Sequence, residues 1–153
     1  MNIEIIKKEP EIAVAIKREA VRFDNMGDMM GEVYRQLWAY LAQQGKQMAG
    51  APYCKYFNGS DDFMEWDIEL GVPVSEPLPE QGEIYMSKTC EGKAVCATHQ
   101  GAYKDIDQTY TPMMEYLTAN NLESTGIYYD YYLSNPSDTP ESELLTKVVF
   151  PIK

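Results

Sequence analysis

Tyr34-x-x-Leu37-Trp38-x-Tyr40-Leu41 returns 76 residues later as Tyr110-x-x-Met113-Met114-x-Tyr116-Leu117. Other segments repeat around this pair in the same order. Glu11 to Lys17 resembles Gly92 to Thr98, and Pro52 to Phe57 aligns with Tyr128 to Leu133. Gly71-Val72-Pro73-Val74 corresponds to Val149-Phe150-Pro151-Ile152, and every offset falls between 76 and 81 residues. Similarity at one spacing marks a duplicated structural unit, so internal repeats are expected at about 1–75 and 83–153.

Each repeat carries the same pattern. In the first, Ile3 to Ile6 and Ile12 to Ile16 are rich in Ile and Val and read as extended. A helix of roughly Met26 to Gln43 follows, with Met26, Met30, Val33, Leu37 and Leu41 at the helical period. Two strands, Tyr53 to Asn58 and Phe63 to Val74, flank a turn at Gly59-Ser60-Asp61-Asp62. After the Pro-rich stretch Glu76 to Gly82, the second repeat runs through Ile84 to Ser87, Ala94 to Thr98, a helix near Gln108 to Ala119, Ile127 to Leu133 and Leu144 to Ile152. Pro112 fits that helix only near its start.

One helix on one small sheet leaves an apolar face open. The expected fold is therefore α+β in a single domain spanning 1–153. It consists of duplicated β-α-β-β units with pseudo-twofold symmetry, an antiparallel sheet, both helices on one face and a ligand cleft at the seam.

Thirteen basic against 24 acidic residues give a formal charge of −11. Phosphate backbones and anionic membranes are bound by Lys and Arg, so neither is an expected partner. No run is long and apolar enough to span a membrane. Cys54, Cys90 and Cys96 are an odd number without C-x-x-C spacing, which suits free thiols and a cytoplasmic location. With His99 they match no common zinc pattern, and no nucleotide or cofactor motif occurs, so neither metal nor cofactor is expected.

Twelve tyrosines and nine methionines supply adaptable, amphipathic surface. In Ile127-Tyr128-Tyr129-Asp130-Tyr131-Tyr132-Leu133, strand alternation puts Asp130 on one face with Tyr128 and Tyr132. A carboxylate there needs water, a phenol or a cationic ligand as its partner. Glu69 is the second candidate carboxylate. Trp66, Ile68, Leu70 and Val72 alternate as an inward face and leave Asp67 and Glu69 on the other. Tyr34, Trp38, Tyr110 and Met113 stand at core spacing on the helices. With Tyr56 and Trp66 they complete the candidate ligand-binding set.

Gly92-Lys93-Ala94-Val95, His99-Gln100-Gly101-Ala102-Tyr103, Tyr129 to Pro136 and Glu143 to Ile152 together resemble the GyrI-like small-molecule-binding family, also seen as the effector-binding domain of AraC-type regulators. Asp67 to Val74 is similar to the matching strand of the first half. The resemblance implies the duplicated fold and a seam cleft holding an acidic residue. Asp130 and Tyr132 stand where the family usually has Glu followed two residues later by Tyr. The repeats use all 153 residues, which leaves no DNA-binding extension and implies a stand-alone form. Such a protein senses or sequesters a hydrophobic, cationic drug-like molecule or toxin, or lends its site to a regulator. Two alternatives follow from the same resemblance. One is a DNA gyrase inhibitor-like interaction protein. The other is a hydrolase of reactive electrophilic toxins, with Asp130 and Tyr132 as the catalytic pair.

Overall fold

The computed structural model describes residues 2–153. The strands are β1 (Glu4–Lys8), β2 (Ile12–Arg22), β3 (Tyr53–Phe57), β4 (Glu65–Pro73), β5 (Tyr85–Lys88), β6 (Gly92–Gln100), β7 (Tyr128–Tyr132) and β8 (Leu145–Pro151). The helices are α1 (Gly27–Gln43) and α2 (Asp107–Ala119), with short 3-10 turns at Phe23–Asn25, Tyr103–Asp105 and Glu141–Glu143. The class is the expected mixed α+β, and every described strand pairing is antiparallel. No helix among the described residues is long and apolar enough to cross a membrane.

The chain forms two compact units, Pro10–Cys90 and the segment ending at Glu9 joined with Glu91–Lys153. The first holds α1 and strands in the order β3-β4-β2-β5. The second holds α2 and strands in the order β1-β6-β8-β7. The units therefore differ from the sequence repeats in the first strand of each. β1 pairs with β6 of the second repeat, and β5 pairs with β2 of the first. Both are short strands at the edge of their unit, so each follows whichever ladder offers it a free row of amides and carbonyls.

In the 10–90 unit, α1 buries Val33, Tyr34, Leu37, Tyr40 and Leu41. The strands meet this stripe with Ile16, Ile68, Leu70 and Val72, all fully buried. In the other unit α2 buries Thr109, Met113 and Leu117. Pro112 lies inside α2, five residues after its first, so the helix does not start late at the proline but carries it within the first two turns. The loop between β3 and β4 is also longer than the four-residue turn expected. It runs from 58 to 64 and takes Phe63 out of the strand.

Candidate functional site

His99 shows which face of the sheet α2 covers within the 91–153 unit. Its Nδ1 lies 2.9 Å from Thr109 Oγ1 of α2 and its Nε2 lies 3.0 Å from the Ala102 carbonyl. A ring bonded at both nitrogens is a structural tie between β6 and α2, with neither nitrogen left for a metal. By alternation, Ala97 and Val95 face α2 with it. The register carries this face to Thr146, Val148 and Phe150 in β8, and on to Tyr132 and Asp130 in β7.

Asp130 thus shares a face with Tyr128 and Tyr132, as alternation requires, but it is the face covered by α2. Of the partners that the alternation left open for it (water, a phenol or a cationic ligand), a phenol is present. Tyr110, reaching down from α2, donates its hydroxyl to Asp130 Oδ1 at 2.5 Å. The carboxylate is 3% exposed. Aromatic rings stand around it. Phe150 lies 4.9 Å from Tyr128 and 5.7 Å from Tyr110 between ring centroids, and Tyr103 meets Tyr132 edge-on at 5.4 Å. Burial pushes the Tyr103 phenol above its ordinary value, so it remains a neutral donor at physiological pH. A buried carboxylate framed by phenols and ring faces attracts a cation by charge, by hydrogen bonding and by the ring quadrupoles.

Glu69 takes its place in the 10–90 unit. It lies on the face opposite Trp66 and Ile68, as the alternation in β4 predicts, yet it is only 4% exposed. Tyr53 in β3 donates to Oε2 at 2.7 Å, and Tyr85 in β5 donates to Oε1 at 2.5 Å. Ser87 Oγ lies 2.9 Å from both oxygens. Two features of the sequence make this reach possible. Gly71 stands opposite Tyr53, and a Cβ there would sit 2.4 Å from the Tyr53 ring, so the phenol lies across the bare backbone to meet Glu69. Ala13 and Ala15 lie between β4 and β5, and such small side chains let Ser87 and Tyr85 extend over β2.

Every oxygen of Glu69 is thereby used, which makes the cluster a clasp for the edge strand β5 rather than an open anchor. Burial first, and then the bond to Glu69, raise the Tyr85 phenol above its ordinary value. A raised folded value favours the protonated form. Its stabilising contribution is full below pH about 10, the ordinary tyrosine value, and is lost as pH rises past it toward the folded value. An ultraviolet pH titration should find Tyr85 ionising after the exposed tyrosines, with the melting temperature falling over the same range. Ionisation of Tyr85 at the ordinary value, checked against Tyr85→Phe, would contradict the clasp.

The other candidates divide cleanly. Met113 is fully buried core. Trp66 donates its indole N–H to the Phe63 carbonyl at 2.8 Å and packs edge-on against Tyr56 at 5.9 Å. Tyr34 donates to the Tyr53 carbonyl and stacks on Trp38 at 5.6 Å, while Trp38 itself is 45% exposed. Sequence reading missed Tyr53, Tyr85 and Ser87 beside Glu69, and Phe150 and Tyr103 beside Asp130. Tyr53 was recoverable from the register of the β3–β4 hairpin. Tyr85 and Ser87 were not, because β5 is distant in sequence from β2. Among the described residues no group of His, Cys, Asp and Glu gathers in a metal-binding arrangement.

The family model described as GyrI-like small molecule binding domain matches residues 1–153. The EcmrR C-terminal domain superposes with a TM-score of 0.81 at 16% identity, covering 99% of this chain and 97% of that one. EcmrR in its complex with DNA gives 0.86 at 15% identity, and this chain spans 57% of its length while 99% of the chain is covered. SAV2435 bound to tetraphenylphosphonium gives 0.68 at 12% identity over 100% of this chain and 94% of that one. A hydrolase from Listeria innocua gives 0.70 at 13% identity, over 99% and 91%. No curated protein sequence matches the chain.

Proposed function

Because the chain belongs to the GyrI-like small molecule binding domain family, we propose that it binds a hydrophobic cation, with Asp130 as the charge anchor and the rings of Tyr110, Tyr128, Tyr132 and Phe150 as the apolar surround. The observation that carries this reading is the buried Asp130 carboxylate with a phenol donor at 2.5 Å in an aromatic setting. A cation lying against these rings meets the carboxylate charge and the ring faces together, and both attractions strengthen where water is excluded. The formal charge of −11 draws cations toward the protein over a longer range. The ligand complex recorded for SAV2435 contains a lipophilic phosphonium, which fits the same chemistry. In the cell such a domain sequesters its ligand or reports it to a partner.

Thermal unfolding with increasing tetraphenylphosphonium tests this. Binding to the native state alone raises stability by RT ln(1 + [L]/Kd), about 2.7 kcal/mol at a hundredfold excess over Kd. The melting temperature should rise with the cation and stay level with triphenylphosphine oxide, a neutral molecule of similar bulk. A flat response to both would remove the cation reading.

A further inference from the structure

The loop joining β3 and β4 is built to hold one aromatic ring in solvent. Phe63 is 63% exposed, and its backbone has φ +60, the left-handed region in which a bulky aromatic residue is a genuine outlier. The same loop uses Asn58 at φ +51, a residue that tolerates this conformation, so the choice of Phe at 63 does not come from the turn.

Several bonds enforce the unfavourable geometry. The Phe63 amide donates to the Ser60 carbonyl at 2.9 Å, and its own carbonyl accepts the Trp66 indole at 2.8 Å. Asp62 Oδ1 accepts from Ser60 Oγ at 2.6 Å and from the Met64 amide at 3.1 Å. Trp66 in turn lies on Gly59, where a Cβ would fall 2.5 Å from its ring. Phe63 stacks on this fixed indole, with centroids 6.1 Å apart and planes 25° apart. Behind it the rings continue through Tyr56 to Phe23.

The rim is acidic. Between Tyr56 and Trp66 the chain carries Asp61, Asp62 and Glu65, all exposed, and no Lys or Arg. Arg22, the cross-strand partner of Glu65, is itself bonded to Asp24. An exposed ring backed by a rigid indole and edged with carboxylates is complementary to one kind of surface. Its positive charge must sit on a flat, weakly hydrated group able to lie across a ring, which describes a guanidinium.

We propose that the β3–β4 hairpin tip is a docking point for an arginine-bearing protein segment, with one guanidinium stacked on Phe63 and its neighbours paired to Asp61 and Glu65. It lies on the 10–90 unit and is independent of the ligand reading for Asp130. Fluorescence anisotropy of a labelled peptide of four Arg-Gly repeats, titrated with the full chain, tests it. The neutral control is the same peptide with citrulline for arginine. Phe63→Asn keeps the left-handed turn and removes the ring. It should weaken arginine-peptide binding at least tenfold, and Glu65→Gln about threefold, while the citrulline peptide binds neither. Equal binding by wild type and Phe63→Asn would overturn the proposal and leave only diffuse attraction to an acidic surface. Retention of wild type, but not Phe63→Asn, by neutral phosphatidylcholine vesicles would overturn it in favour of a membrane contact.

Discussion

Glu69→Gln is expected to lower the stability of the protein by about 3 kcal/mol, the upper part of the range for a buried group left without its hydrogen-bond partners. The substitution keeps volume and shape. It replaces an acceptor oxygen with an NH2 that faces the hydroxyls of Tyr53, Tyr85 and Ser87, which now donate to Glu69 within 2.9 Å. A hydroxyl can turn to accept from that NH2, but its own proton then loses the carboxylate oxygen it bonded to, at a residue that is 4% exposed. For a chain of this length the melting temperature should fall by roughly 6–12 °C. Urea unfolding would measure the loss, and hydrogen exchange would locate it, since β5 is an edge strand of its unit, held by its pairing with β2 and by this clasp. Tyr85→Phe should cost about 1 kcal/mol, because it removes one donor and leaves the carboxylate two others. Unchanged stability in Glu69→Gln would mean that Glu69 holds nothing in place and is available to a ligand.

Two glycines should respond with opposite signs to the same change. Gly71→Ala puts a methyl 2.4 Å from the Tyr53 ring, too close for any small adjustment, so the phenol must leave. The change combines overpacking, about 1–3 kcal/mol, with loss of the Tyr53 bond to Glu69, and should destabilise by about 2–4 kcal/mol in total. Gly31 sits in α1, where an added Cβ meets nothing within 4 Å. Gly31→Ala should therefore stabilise by about 0.5–1 kcal/mol, the helix-propensity difference. Equilibrium unfolding of both variants checks this. A Gly71→Ala protein as stable as wild type would show that Tyr53 does not need the bare backbone across from it.

Much of the fold was legible in residues whose partners are near in sequence. The 3.6-residue stripe of Val33, Leu37 and Leu41 and the alternation Trp66, Ile68, Leu70, Val72 each describe one element and a face that it buries. Asp130 was placed with Tyr128 and Tyr132 for the same reason. What alternation does not contain is which of the two faces a helix will cover, and for β7 that decided whether Asp130 met water or Tyr110. The exchange of β1 and β5 was also hidden. Strands of five and four residues carry too little pattern to prefer one antiparallel neighbour over another. With that exchange unseen, Tyr85 and Ser87 had no reason to be set beside Glu69. Phe63 was read as the start of a strand because it is aromatic and precedes an alternating run. Only its left-handed backbone removes it from the ladder.

The claim that Asp130 anchors a hydrophobic cation is tested most directly by calorimetric titration of tetraphenylphosphonium into wild type and Asp130→Asn. Asparagine keeps the shape and still offers an oxygen to Tyr110, so the fold should survive while the charge is lost. Affinity for the cation should drop by about 1.5–3 kcal/mol, the range for hydrogen bonds to charged groups. Triphenylphosphine oxide, with similar bulk and no charge, should give no measurable binding to either protein. Equal affinity of wild type and Asp130→Asn for the cation would contradict the account.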